Sequence, residues 1–259
     1  METDVILCGD NVKVLSGFED ECIDLTVTSP PYDNLRVYKG YDWNFEALAR
    51  QLYRVTKRGG VVVWVVGDAT VNGSESGTSF RQALYFMGCG FNLHDTMIYE
   101  QAGTGAKGSN LSYWQSFEYM FIFSKGTPKS VNRIADVKNT AGGKKRGAGY
   151  KAEALGSRRE RSGIINPEWS VRPNVWRYSN GSEDTHEHPA PFPETLARDH
   201  ILSWSNPGDL VLDPFIGSGT TAKMAKETGR SFYGIDISEE YCQLSRKRVA
   251  GANVPLFTM

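Results

Sequence analysis

Nothing in this chain is apolar for long enough to cross a membrane. The longest unbroken run, residues 61–66, falls far short of the ~20 residues a spanning helix needs. No basic segment followed by an apolar stretch opens the chain, so a soluble, cytoplasmic protein with no membrane partner is expected. Cysteine is scarce: Cys8, Cys22, Cys89 and Cys242 form no CxxC pair, which excludes a zinc ribbon and a disulfide framework and points to reduced thiols. Histidine is as scarce, and the His186-x-His188 pair has no nearby cysteine to complete a ligand set, so no metal is expected. No Gly-Lys-Ser or Gly-Lys-Thr follows a glycine loop, which excludes a P-loop. Net charge is also nearly absent, at −1, so the whole-chain balance names no partner.

What is present is ordinary globular material: 259 residues, 40% hydrophobic and 23% charged, enough for one α/β domain with a small inserted lobe. Residues 4–9 and 23–28 read as short strands. Residues 44–57 have helical spacing, with Phe45, Leu48, Leu52 and Val55 on one face and Arg58-Gly59-Gly60 as the expected stop. Residues 61–66, all Val apart from Trp64, suit a parallel strand covered on both faces. A helix at 80–87 and strands at 93–100 and 117–124 follow. After residue 189 come a helix at 194–204, strands at 209–213 and 231–236, and a helix capped by Ser238. Strands alternating with helices predict a doubly wound parallel sheet.

Charge is concentrated where the alternation stops. Residues 125–177 hold 13 Lys+Arg against 4 Asp+Glu, including Lys144-Lys145-Arg146 and Arg158-Arg159-Glu160-Arg161. Such a run suits either a solvated loop or a surface that neutralises the phosphates of a polyanion.

Two stretches carry chemistry. Thr28-Ser29-Pro30-Pro31-Tyr32 ends a strand in two prolines, which donate no backbone hydrogen bond and forbid helix. The Ser29 and Pro30 carbonyls beside the Tyr32 ring can hold a planar group that carries an NH2; a packed Pro-Pro turn is the structural alternative. The second stretch is Asp213-Pro214-Phe215-Ile216-Gly217-Ser218-Gly219-Thr220-Thr221, a strand end, glycine loop and helix start. Asp236 closes the next strand, 23 residues past Asp213, where a carboxylate can take the hydroxyls of a ribose. Gly217-x-Gly219-x-x-Ala222 satisfies a loose dinucleotide pattern, so an NAD(P)-dependent oxidoreductase is one reading. Asp213 argues against it, because an acid there repels a pyrophosphate and suits a cation. A ribose acid without a phosphate binder points to S-adenosylmethionine.

Taken in order, these motifs resemble those of the DNA amino-methyltransferases of the β class, over nearly the whole chain. Gly9-Asp10 resembles the motif for the cofactor adenine, Arg58-Gly59-Gly60 with the valine strand the next two, 117–126 the late strand, and His188-Pro-Ala-Pro-Phe192-Pro-Glu-Thr195 the segment enclosing methionine. The resemblance implies a Rossmann-like S-adenosylmethionine-dependent methyltransferase sheet in circularly permuted motif order. It implies a catalytic half at 1–124, a basic target-recognition insertion at 125–185 and a cofactor-binding half at 186–259. By the same resemblance Ser29, Pro30, Pro31 and Tyr32 are catalytic. Asp10, Asp213, Phe215, Gly217, Gly219, Thr220, Asp236 and Phe192 bind cofactor, although core packing is the alternative for Phe215 and Phe192. Lys144, Lys145, Arg146, Arg158, Arg159 and Arg161 meet DNA. The substrate is a base flipped out of double-stranded DNA and methylated on its exocyclic amine, N6 of adenine or N4 of cytosine, with Ser29 leaning towards cytosine. A homodimer and a cognate restriction endonuclease are partners that the resemblance allows. A catalytically silent DNA-binding protein on the same fold is the remaining alternative.

Overall fold

A computed structural model describes residues 2–31, 43–102, 113–145, 150–152, 158–160, 165–179 and 193–253; the side chains of 102, 150–152, 158–160 and 179 are outside the description. In chain order the main elements are β1 (Val5–Cys8), α1 (Asn11–Ser16), β2 (Ile23–Thr28), α2 (Phe45–Val55), β3 (Thr56–Val66), α3 (Thr78–Gly88), β4 (Asn92–Ala102) and β5 (Phe117–Ser124). They continue with β6 (Val175–Ser179), α4 (Glu194–Trp204), β7 (Leu210–Asp213), α5 (Thr220–Glu227), β8 (Ser231–Asp236) and α6 (Glu239–Ala250).

These strands form one 8-stranded sheet in the order β1-β8-β7-β2-β3-β5-β4-β6. The order reverses between β7 and β2. From β7 the chain crosses through α5 to β8 on one side, and from β2 through α2 to β3 on the other. The sheet is not all parallel as its pattern predicts: β5 runs antiparallel to both β3 and β4. No crossover helix separates β4 from β5 in the described residues, and β5 returns between its predecessors. β6 is a further departure, a strand parallel to β4 within the stretch read from its charge as insertion.

Helices α1, α2 and α3 pack with one another on one side, and α4, α5 and α6 on the other. The α2 stripe is the predicted one. Leu48, Ala49, Leu52 and Val55 are buried, Asn44 caps the helix by accepting from the Ala47 N–H at 2.9 Å, and each large buried side chain contributes roughly 1.5–3 kcal/mol. Its end is not. Thr56 Oγ1 donates to the Leu52 carbonyl at 2.6 Å, and the helix stops there rather than at Arg58-Gly59-Gly60. Gly59, at φ +79°, lies within β3, beside the register slip of the β2–β3 pair between Ile23 and Leu25. On this side Trp64, Phe86, Phe123, Leu212 and Ile235 fill the core, and the Trp64 indole donates to Gln82 Oε1 at 2.8 Å.

A second compact unit spans Arg133–Pro173. It contains two antiparallel ribbons, 137–138 with 169–170 and 150–152 with 158–160. Its bounds are narrower than 125–185, because 125–132 and 174–179 belong with the sheet. Among the described residues, no helix is long and apolar enough to cross a membrane, and no cluster of metal-ligating side chains occurs.

Candidate active site

Because β1, β8, β7, β2 and β3 run in one direction, their carboxyl ends share one edge of the sheet. Ser29-Pro30-Pro31 leaves β2 there, the glycine loop leaves β7, Asp236 ends β8 and Asp10 follows β1. The reversal between β7 and β2 opens a crevice at this edge, the usual ligand position in open α/β sheets.

Two hydroxyls stitch the motifs together across β2 and β7. Thr28 Oγ1 donates to Asp213 Oδ1 at 2.6 Å, and Thr221 Oγ1 donates to the Val27 carbonyl at 3.2 Å. Asp213 also accepts from the Phe215 N–H at 3.0 Å and is almost fully buried. Burial pushes its carboxyl up to about 6, against the pull of the Thr28 and Thr221 hydroxyls and the Phe215 N–H, with the Asp236 charge adding to the rise.

Asp236 binds the loop from the other side, accepting from the Gly217 N–H at 3.0 Å and the Ser238 N–H at 2.9 Å. Burial raises its carboxyl too, and the N–H groups of Ser238, Gly217 and Ile237 hold it back. Neither acid has an ion-pair partner among the described residues. Two desolvated carboxylates at one edge form a receptacle for a cation and for hydroxyl donors. Such a receptacle fits a cationic amino-acid end and a ribose, and it disfavours a pyrophosphate.

The glycines serve this close approach. Gly217 and Gly219 take φ +50° and +89°, left-handed values that cost other residues energy. Gly219 also lies against α6, where an added Cβ would come within 3.0 Å of Ser245 Cα. Thr220 opens α5 buried, with its Oγ1 3.4 Å from Arg248 Nη1. Phe215 packs its ring against Trp43 at 5.0 Å, edge to face, so it joins the aromatic core while remaining half-buried at the site. Asp10 caps α1 by accepting from the Lys13 N–H at 2.8 Å.

Several residues here gave no local signal. Asn11 Nδ2 donates to the Pro214 carbonyl at 3.2 Å and ties the β1 end to the loop. Arg248 Nη1 donates to the Ser218 carbonyl at 2.8 Å, and its Nη2 reaches Glu194 at 2.6 Å, where Lys223 also binds at 2.8 Å. Glu194 thereby fastens the start of α4 to the glycine loop. Just past the end of β3, Asp68 accepts from the Ser79 N–H at 2.9 Å and from the hydroxyls of Ser76 and Ser79, which fixes the start of α3 at the same edge.

Of the expected site residues, Ser29, Pro30, Pro31, Asp10, Asp213, Phe215, Gly217, Gly219, Thr220 and Asp236 meet at this edge or line its loop. Tyr32 and Phe192 lie outside the described residues, as do Arg146 and Arg161, and Arg158 and Arg159 are described in backbone alone. Lys144 and Lys145 are exposed in the second unit.

Residues 23–247 match the family model N6_N4_Mtase, DNA methylase. The chain belongs to this DNA methylase family. The orphan methyltransferase M.BamHII of Bacillus amyloliquefaciens is 56% identical to the methylase over 238 residues, covering 89% of each chain. The type II methyltransferase M.BglII of Bacillus subtilis is 29% identical over 264 residues, covering 94% of this chain and 68% of its own. In fold, the methylase matches PvuII DNA methyltransferase, described as cytosine-N4-specific, with a TM-score of 0.70 and 23% identity over 98% of this chain and 89% of the other. It also matches a putative DNA modification methylase of Thermus thermophilus complexed with S-adenosyl-L-methionine. There the TM-score is 0.64 and the identity 24%, over 97% of this chain and 96% of the other. Family membership and the placement of Asp213 together disfavour the oxidoreductase reading.

Proposed function

We propose that this methylase uses S-adenosylmethionine to methylate N4 of a cytosine flipped out of double-stranded DNA. The observation that carries the reading is the Thr28–Asp213 hydrogen bond, which couples the last residue before Ser29-Pro30-Pro31 to the buried acid heading the glycine loop. The acceptor motif and the cation receptacle are therefore neighbours on one rigid edge.

When bound, S-adenosylmethionine supplies a methyl group activated by positive sulfur, so most of the remaining work is positioning. Asp213 holds the amino-acid end, and Asp236 and Asp10 the adenosine end. A base inside the duplex is out of reach and must leave the stack. The Ser29 hydroxyl and Pro30 carbonyl then accept hydrogen bonds from its exocyclic NH2, while Tyr32 stacks on the ring. Drawing on those protons would pyramidalise a nitrogen whose lone pair is otherwise conjugated into the ring and free that lone pair to take the methyl, with one N–H proton passing to solvent because Ser29 is no strong base. The choice of cytosine rests on the family resemblance alone, in which a serine before Pro-Pro-Tyr is commoner in cytosine-N4 enzymes, because the exocyclic amines of cytosine and adenine offer Ser29 the same geometry. The chemistry needs neither a second copy nor an endonuclease, since both motifs lie in one sheet.

Incubation with tritium-labelled S-adenosylmethionine and unmethylated genomic DNA, followed by nucleoside chromatography, tests this. Counts in N4-methyldeoxycytidine are expected. Counts in N6-methyldeoxyadenosine would overturn the base, and no counts in either would overturn the activity. The second unit, with Lys144 and Lys145, is proposed as the recognition region. Replacing Lys144, Lys145 and Arg146 with alanine should then weaken DNA binding and flatten its salt dependence, by roughly 0.9 in log–log slope for each phosphate that is no longer neutralised.

A further inference from the structure

The carboxyl edge carries one feature that the reaction above does not use. β5 is the reversed strand, so the chain enters it from the catalytic edge. Thr28 is in register with Trp64, and Trp64 with Phe121. Upstream of that level the chain runs through Tyr119 and Phe117, and then to Trp114 and Tyr113, beyond the strand. Lateral spacing places β5 two strands from β2, roughly 10 Å across the sheet.

Along β5 the aromatic side chains form a ladder. Tyr119 stacks on Phe121 at 5.3 Å with an interplanar angle of 11°, and Phe117 meets Tyr119 at 5.3 Å. The ladder is buried at Phe121 and Phe123 and opens to half-buried rings at Tyr119 and Phe117. It is followed by two consecutive aromatics left in solvent: Tyr113 is 98% exposed and Trp114 52%. Large rings bury much apolar area when they can, and two adjacent ones in water at the reacting edge await a flat partner.

We propose that Tyr113 and Trp114 stack on nucleobases of the DNA next to the target, holding the duplex open while the target base is extrahelical. The proposal rests on the methyltransferase reading and adds a positioning role to it. Removing one base from a duplex exposes the π-faces of its neighbours and of the orphaned partner, and side chains that fill such gaps are apolar or aromatic. Stacking on a base face tolerates any sequence, so the pair would act in flipping and leave sequence readout to other residues. Trp169, exposed in the second unit, is another bare indole of comparable exposure. It lies opposite Lys138 on a two-stranded ribbon of its own, outside the sheet that carries the reacting edge.

The test uses full-length protein and a duplex containing the site mapped from the wild type's own methylation, either fully paired or mismatched at the target base. The variants are Tyr113→Ala/Trp114→Ala and Tyr113→Phe/Trp114→Phe. The alanine pair should lose about tenfold or more in kcat/KM on the paired duplex and less than about threefold on the mismatched one, where the base is already unpaired. The phenylalanine pair should stay within about threefold on both, since ring stacking survives the change. Melting temperature and S-adenosylmethionine affinity should match wild type, because neither side chain is part of the core. An undiminished rate for the alanine pair, or an equal loss on both duplexes, would overturn the proposal. Failure of the wild type to methylate any duplex would instead refute the reading on which it rests.

Discussion

Replacing Gly219 with alanine tests whether the loop is shaped by sterics. Two costs arise from the geometry. A backbone at φ +89° is strained for any residue with a Cβ, by about 1–2 kcal/mol. The new methyl would also come within 3.0 Å of both Cα and Cβ of Ser245, and closer still to its hydroxyl. The Cα belongs to the backbone of α6, so the helix must shift, which costs about 1–3 kcal/mol as overpacking. The sum is about 2–5 kcal/mol, or a fall in melting temperature of roughly 5–15 °C for a chain of this size. The contact also names its own remedy. Ser245 Oγ is buried without a hydrogen-bond partner among the described residues, so Ser245→Ala alone should change stability by less than about 1 kcal/mol. Combined with Gly219→Ala it should recover about 1 kcal/mol, which appears as a coupling energy in a double-mutant cycle. Urea denaturation followed by circular dichroism reads all four proteins. A wild-type midpoint for Gly219→Ala, or strict additivity in the double variant, would refute the reasoning.

Cofactor binding should depend on pH through Asp213. Its carboxyl is raised to about 6 in the folded protein, and a cationic ligand favours the ionised form, so affinity should fall as pH drops through about 6 and be flat above about 7. Calorimetric titration from about pH 5 to about pH 8 should show this slope in the wild type and lose it in Asp213→Asn. The sign for stability is the reverse of the usual carboxylate. A folded value above the unfolded one gives stability that is full below about 4 and lost as pH rises through about 6. Asp213→Asn without cofactor should therefore be at least as stable as wild type at neutral pH, and an unfolding midpoint below that of wild type would contradict it. Asp24, at the opposite end of β2, behaves in the ordinary way. Burial raises its carboxyl, but the Leu210 N–H, Lys129 and Lys57 outweigh that and leave it lowered. Its contribution is present above about 4 and fades as pH falls through the depressed folded value. Asp24→Ala should cost about 1–3 kcal/mol, mostly because the buried Leu210 N–H loses its acceptor, while Lys57 at 2.7 Å and Lys129 at 2.5 Å are each more than a third exposed and regain water. An acid-unfolding curve for the variant that overlays the wild type would rule this out.

Much of the fold is written locally. The stripe Phe45, Leu48, Leu52 and Val55, the run 61–66 and the Ser238 cap each specify their element without help from distant residues. What was not legible depends on pairing across the chain. Hydrophobic alternation does not encode direction, so the reversal of β5 is invisible in residues 117–124. For β6 the period-two signal was present, with Trp176 buried between the exposed Val175 and Arg177, but the surrounding charge masked it. The site divides similarly. Ser29-Pro30-Pro31, Asp213 and the loop glycines announce themselves by motif; Asn11 and Arg248 matter only through partners far away in sequence, and Thr28 and Glu194, although they fall within motifs, take their structural roles from such partners as well. Arg58-Gly59-Gly60 misled because a glycine pair that suits a helix end serves here within a strand.

The pairing of β2 with β7 has a consequence for how the chain folds. All six residues of β2 are buried, yet Leu25 and Thr26 find their partners Val211 and Leu212 only after most of the polypeptide has been made. On one side β2 can zip early to β3; the other edge stays open, an apolar template for aggregation while synthesis continues. Long-range closure of this kind makes folding slow. Asp24 then acts as a gatekeeper before it acts as a salt bridge, a charge that discourages a stray strand from annealing to the unfinished centre of the sheet.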